Sequence, residues 1–230
     1  YNRAMIKELH PQSLDYGRID ARIRTWYNPN SYSQYFFVPG IVAFVVMLMS
    51  LLLTSIAIIR EREAGTMEQL IVTPLKPFEL ILGKTIPYII IALTQMVVVI
   101  VIGKLWFGIP FAGSMGLLFA GACVFLLSTL AIGLYISTVS STQQQAMMTT
   151  FFFIMPIFML SGFVFPIANM PEVIQWLTYL NPLRYFLVII RGIFLKGVGM
   201  DVLWPQFLAL TILGTVLFTA ATLRFHKRLD

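Results

Sequence analysis

EREAGTMEQLIVTP, residues 61–74, is a charged and capped segment set between two apolar runs that are each long enough to cross a membrane. Apolar runs alone make a membrane protein. A polar, structured insertion between the first two adds a site that a soluble partner can hold. The flanking runs cover 39–59 and 80–103, and three more follow at 113–138, 146–166 and 203–223. A hydrocarbon core of about 30 Å takes roughly 20 apolar helical residues, so each window qualifies as a span. With 58% hydrophobic and 11% charged residues and a mean hydropathy of +0.84, the composition lies far outside soluble averages. The expected fold is an all-α polytopic membrane protein with five transmembrane helices, whose two ends lie on opposite sides.

Within the insertion, Thr66-Met67-Glu68-Gln69 has capping-box spacing: the Thr66 hydroxyl can accept from the Gln69 amide while the Gln69 side chain reaches back. Gly65 permits a sharp reversal just before, Glu68 suits the positive end of a helix dipole, and Met67, Leu70 and Ile71 make one apolar stripe. Thr73-Pro74 ends the helix. About two turns of amphipathic helix are expected, joined to the first span through Arg60, Glu61, Arg62 and Glu63. A helix this short does not persist alone in water, so its stripe must be buried on the membrane, on neighbouring spans or in a groove of another protein.

Charge places the 60–78 loop and the tail with Arg224, Lys227 and Arg228 on the cytoplasmic side, once Arg3, Lys7, Arg18, Arg22 and Arg24 are set aside as the end of a translocated domain. The net charge of +6 suits anionic headgroups better than nucleic acid. Residues 1–37 read as the C-terminal end of an extracytoplasmic α/β domain, with helical spacing at 4–9, strand alternation at 21–27 and an aromatic belt of Tyr32, Tyr35, Phe36 and Phe37. Its remaining elements are expected ahead of Tyr1. Cys123 lies inside a span as a packing residue.

From Leu105 to Pro171 there is no Asp, Glu, Lys, Arg or His. Proton-coupled carriers and ion pumps need ionisable groups at membrane depth, so the energy for any transport has to come from outside the bilayer. No glycine-rich phosphate loop of the GxxxxGK[ST] kind occurs, and no catalytic or metal-binding constellation is present. In the fourth window, Phe151, Phe152, Met155, Phe158 and Met159 flank Pro156, where a kink is expected. With Gln95 of the second window they are the candidate substrate path, because Met and aromatic side chains adapt to varied apolar surfaces. Residues 167–202 read as an outer re-entrant or interfacial region. Asn181-Pro182 opens a helix whose Leu183, Leu187, Ile190 and Phe194 share one face, and Arg184 and Arg191, seven apart, are placed to reach headgroups.

The segment with Gly65, Thr66, Glu68, Leu70, Thr73 and Pro74 resembles the Gly-Thr-x-Glu-x-Leu-x-x-Thr-Pro signature of ABC-2 type permeases, the membrane subunits of ATP-binding-cassette exporters. RTWYNPNSYSQYFFVPG (24–40), LSGFVFPIANMP (160–171) and NPLRY (181–185) extend the resemblance along the chain. It implies spans two to six of a six-span permease in a bacterial inner membrane, with Glu61–Pro74 as the coupling helix and 167–202 as an outer plug. It also implies a separate nucleotide-binding subunit holding ATP and Mg, a second permease copy or paralogue, surrounding lipid and, as a further candidate, an extracytoplasmic adaptor. The chain would not be an enzyme by itself and would hold no cofactor. Drug-like or lipid-like cargo moved outward is the expectation. The rival readings are a scaffold or sensor that recruits a cytosolic partner through the 60–78 loop, and a passive channel.

Overall fold

The computed structural model describes residues 33–65 and 77–226. Apart from connecting turns these residues are helical, as a chain in hydrocarbon must be when each backbone N–H and C=O has to be paired within its own segment. In order they form α1 (Ser33–Glu63), α2 (Pro77–Phe107), α3 (Met115–Val139), α4 (Gln143–Met159), a 3₁₀ turn (Ile167–Asn169), α5 (Glu172–Thr178), α6 (Pro182–Arg191), a π-helical turn (Gly192–Lys196) and α7 (Met200–His226). Of the expected extracytoplasmic domain end at 1–37, residues 1–32 with the 21–27 strand lie outside the described residues and 33–37 form the start of α1; of the expected coupling segment 61–74, residues 66–74 lie outside them and 61–63 continue α1.

Among the described residues, four unbroken helices of 18 residues or more are long and apolar enough to cross a membrane: Gln34–Glu61, Thr85–Phe107, Met115–Val139 and Met200–Leu223. They coincide with four of the five expected windows. The remaining window, 146–166, holds α4, whose 17 residues end at Met159; its rise of about 25 Å lies at the short end of what a crossing takes. Pro156 has no N–H to give the carbonyl one turn back. Ser161 then closes a turn, its hydroxyl donating to the Phe158 carbonyl at 2.6 Å and accepting from the Phe163 N–H at 3.2 Å. A further apolar unit is broken: Glu172–Thr178 and Pro182–Lys196 meet at a bend of 77°. Either a broken span or a re-entrant loop has this geometry, and it falls within the region expected to be re-entrant or interfacial.

Helices α1 and α3 form the centre. Helices α2 and α4 pack on α1, α7 lies along α3, and α6 wedges against α1, α3 and α7. The spacing read from sequence holds across α6 and the π-helical turn that follows it: Leu183, Leu187, Ile190 and Phe194 are all buried. Phe186 of α6 stacks on Phe125 of α3 with ring centroids 4.3 Å apart. Hydroxyls tie the central seams, Ser50 donating to Thr129 at 3.0 Å between α1 and α3, and Thr150 donating to Ser55 at 2.9 Å between α4 and α1.

Candidate functional site

The loop end of α1 is built as one continuous helix. It carries Arg60, Glu61 and Arg62 to Glu63 without a break, and the Ala64 N–H still donates to the Arg60 carbonyl at 3.0 Å. Gly65 then adopts φ 68°, the left-handed turn that ends helices at little cost only for glycine. Gly65 thus has the backbone conformation that the expected corner calls for. Of the proposed coupling residues, Glu61, Arg62, Glu63 and Gly65 are described, whereas Thr66, Met67, Glu68, Gln69, Leu70, Ile71, Thr73 and Pro74 lie outside the described residues.

Glu63 turns back toward the bundle. Its carboxylate accepts from the Gln143 backbone N–H at 3.0 Å and from the Gln143 side-chain amide, placing a negative charge at the positive end of α4. These donors hold the Glu63 carboxyl below its ordinary range. The α4 start is further closed by Thr142, whose hydroxyl accepts from the Gln145 N–H at 3.2 Å, and by the Gln145 side-chain oxygen, which accepts from the Ser141 N–H at 2.7 Å. Thr142-Gln143-Gln144-Gln145 has capping-box spacing, a signal that could have located this helix start. The bond from Glu63 spans 80 positions and carries no local signal.

Along α4, Met147, Met148, Phe151, Phe152, Met155 and Met159 are exposed, while Ala146, Thr150 and Ile154 are buried. Four candidate path residues, Phe151, Phe152, Met155 and Met159, are thus on the outward side, with Phe152 77% exposed. Phe158 turns inward instead, against Phe44 at 4.4 Å and Phe163 at 5.2 Å between ring centroids. Gln95 is on α2, and its side-chain oxygen is buried without a hydrogen-bond partner among the described residues. A cavity of about 380 Å³ lies between α3, α4, α7 and the α5–α6 turn, lined by Tyr135, Phe153, Ile157, Pro182, Leu217 and Ala221 among others; none of the six path candidates lines it.

The NPLRY segment closes the far end of α4. The Asn181 side-chain oxygen caps α6 by accepting from the Leu183 N–H at 3.0 Å, and its amide donates to the Ile157 carbonyl at 2.6 Å. Pro182 takes the first helical position, where a missing N–H costs nothing. Arg184 donates to the Thr178 hydroxyl and lies 4.0 Å over the Tyr179 ring, and the Tyr185 hydroxyl donates to the Tyr179 carbonyl at 2.9 Å. Arg191 stands apart from this knot, its guanidinium carbon 3.8 Å from the Phe36 ring centroid.

The family model described as ABC-2 family transporter protein matches residues 3–223. The chain is 39% identical over 206 residues to the "Probable multidrug ABC transporter permease YbhR" of Escherichia coli (strain K12), covering 90% of this chain and 56% of the relative. It is 40% identical over 217 residues to the "Probable multidrug ABC transporter permease YbhS" of the same organism, covering 92% and 56%. With the "ABC transporter G family member 20" of Dictyostelium discoideum it shares 25% over 203 residues, covering 87% and 28%. The chain spans about half the length of the first two curated relatives.

Proposed function

The chain belongs to the ABC-2 family of transporter proteins, and on that premise we propose that it forms part of the permease of an ABC exporter, driven by ATP hydrolysis on a separate nucleotide-binding subunit. One observation carries the proposal. Helix α1 runs unbroken as far as Glu63 and is followed by a left-handed Gly65, the first residue in sequence of the Gly-Thr-x-Glu-x-Leu-x-x-Thr-Pro motif, so a push on that motif has a stiff path into the bundle. The loop and the C-terminus face the cytoplasm of a bacterial cell in this reading. The outward side of α4 meets lipid, cargo or a second permease copy. The cargo is an amphipathic or apolar compound, in keeping with an uncharged stretch from Leu105 to Pro171 and with the word multidrug in the names of two relatives.

The test uses the full-length permease reconstituted with its ATPase. Among the described residues a Cβ at Gly65 meets no atom within 4 Å, so the main disturbance in Gly65→Val is to the backbone angle. The left-handed conformation costs such a residue about 1–2 kcal/mol, enough to reduce a coupled rate about five- to thirtyfold. Gly65→Asn, which tolerates that conformation, should retain function. Efflux of an apolar fluorescent dye should fall in the valine variant while the basal ATPase rate persists. Unchanged dye efflux in Gly65→Val would overturn the lever reading, and ATPase binding without stimulation would favour a scaffold.

A further inference from the structure

Arg191, at the end of α6, keeps its charge in any protein environment. Its Nε and Nη2 atoms are both buried and have no hydrogen-bond partner among the described residues. Those two nitrogens form the side-on edge of the guanidinium, whose parallel N–H bonds grip a carboxylate or phosphate in bidentate fashion. Among the described residues, the carboxylates of Glu172 and Asp201 do not accept from these atoms. A charge taken out of water is costly unless paired, and interactions with ring faces offset only part of that cost.

The surroundings hold the guanidinium in place. Its carbon lies 3.8 Å from the Phe36 ring centroid and 5.8 Å from that of Phe163. Phe163 takes this position because residue 40 is glycine; a Cβ there would lie 2.0 Å from the ring. Phe37 meets the other side of Phe163 edge-on, with centroids 5.8 Å apart. Phe36, over the guanidinium, and Phe37, against Phe36 and Phe163, are both exposed, as are Val164 and Phe165, which follow Phe163 in the chain, so an apolar surface adjoins a desolvated cation. Arg184 provides an internal contrast: seven residues earlier on the same helix, it also lies over a ring, but it donates to Thr178.

We propose that Arg191 is the anion-gripping residue of a binding site for an amphiphilic anion, whose carboxylate or phosphate pairs with the Nε/Nη2 edge while its apolar tail lies along Phe36, Phe37 and Phe165. The Nε/Nη2 edge is buried, so the Phe36 ring, 42% exposed and in the first turn of α1, has to swing aside for a ligand to reach it. The site needs no ATPase to operate, so its test is independent of the transport reading.

Full-length protein in a neutral detergent is titrated with phosphatidylglycerol, with dodecanoate and with inorganic phosphate, and binding is read by native mass spectrometry. R191K keeps the charge and loses the fork; its affinity should fall about tenfold, the worth of one charge-assisted hydrogen bond. R191Q should lose binding altogether, and R184Q should bind as the parent does. If dodecanoate binds and phosphatidylglycerol does not, the site takes soluble amphiphilic acids; the reverse assigns it to a lipid headgroup. The proposal is overturned if R191K binds both amphiphiles as tightly as the parent, if R184Q loses as much as R191Q, or if inorganic phosphate binds as well as either amphiphile. R191K differs from the parent only in head-group shape, so it keeps the test decisive if R191Q fails to fold.

Discussion

The two ends of α4 are held in opposite ways. At the Gln143 end the tie is an exposed carboxylate, Glu63, accepting from a helix N-terminus. At the Met159 end the tie is a buried neutral amide, Asn181, donating to the Ile157 carbonyl and capping α6 at the same time. Ties between exposed charges are screened by salt and contribute little, whereas a buried polar group that loses its partner bears the full cost of desolvation. Helix α4 is therefore firmly anchored at the α6 end and loosely at the loop end. A rearrangement that starts in the 60–78 loop meets the loose joint first.

The largest effect is expected at the firm joint. Asn181→Leu removes the α6 cap and leaves the Ile157 carbonyl unpaired, a loss of about 2 kcal/mol, which should lower the thermal unfolding midpoint of the purified protein in detergent. Asn181→Ser keeps a capping acceptor but is too short to reach Ile157, so it should recover about half of that loss. If Asn181→Leu unfolds with the parent, the joint is not firm. A smaller effect is expected at mid-helix. Thr150 donates to Ser55, while Ser55 can donate to the Leu52 carbonyl at 3.0 Å. Thr150→Val removes one hydroxyl tie of a kind worth about 0.6 kcal/mol between membrane helices. Its unfolding midpoint should fall between those of the parent and Asn181→Ser; a loss as large as that of Asn181→Leu would erase the contrast between the ends.

How much of this was readable beforehand depends on whether the cause is local. Helix α6 was readable because Leu183, Leu187, Ile190 and Phe194 repeat at helical spacing and Asn181-Pro182 marks the start; all four face the core. The exit of α1 and the Gly65 corner were readable for the same reason, a short-range pattern of charge and glycine. The end of α4 was not, because apolar residues continue to Pro166 and an apolar run does not separate helix from turn by periodicity. Phe158 parts from the other aromatic and Met residues of α4, and that was not readable, since which side of α4 meets Phe44 and Phe163 depends on packing between distant segments. Arg184 and Arg191 look equivalent at a spacing of seven, yet one meets Thr178 and the other a pair of rings supplied by residues 36 and 163.

The smallest effect, and the most specific, belongs to the loose joint. Glu63 is exposed and lies beyond the apolar stretch that ends at Glu61, and the Gln143 N–H groups lower its pKa from the ordinary 4.5. A carboxylate whose pKa is lowered in the folded state contributes stability that is present above its ordinary value and is lost as pH falls through the lowered one. The tie should therefore be intact at neutral pH and disappear only as the pH drops below 4.5. Hydrogen exchange at the Gln143 amide, corrected for the intrinsic rate, should show protection falling across that window. Glu63→Gln can still accept one hydrogen bond but has no proton to gain, so its protection should be weaker at neutral pH and should not step with pH. If parent and variant follow the same pH course, Glu63 does not hold α4, and the loop end of the helix is fixed by Thr142 and Gln145 alone.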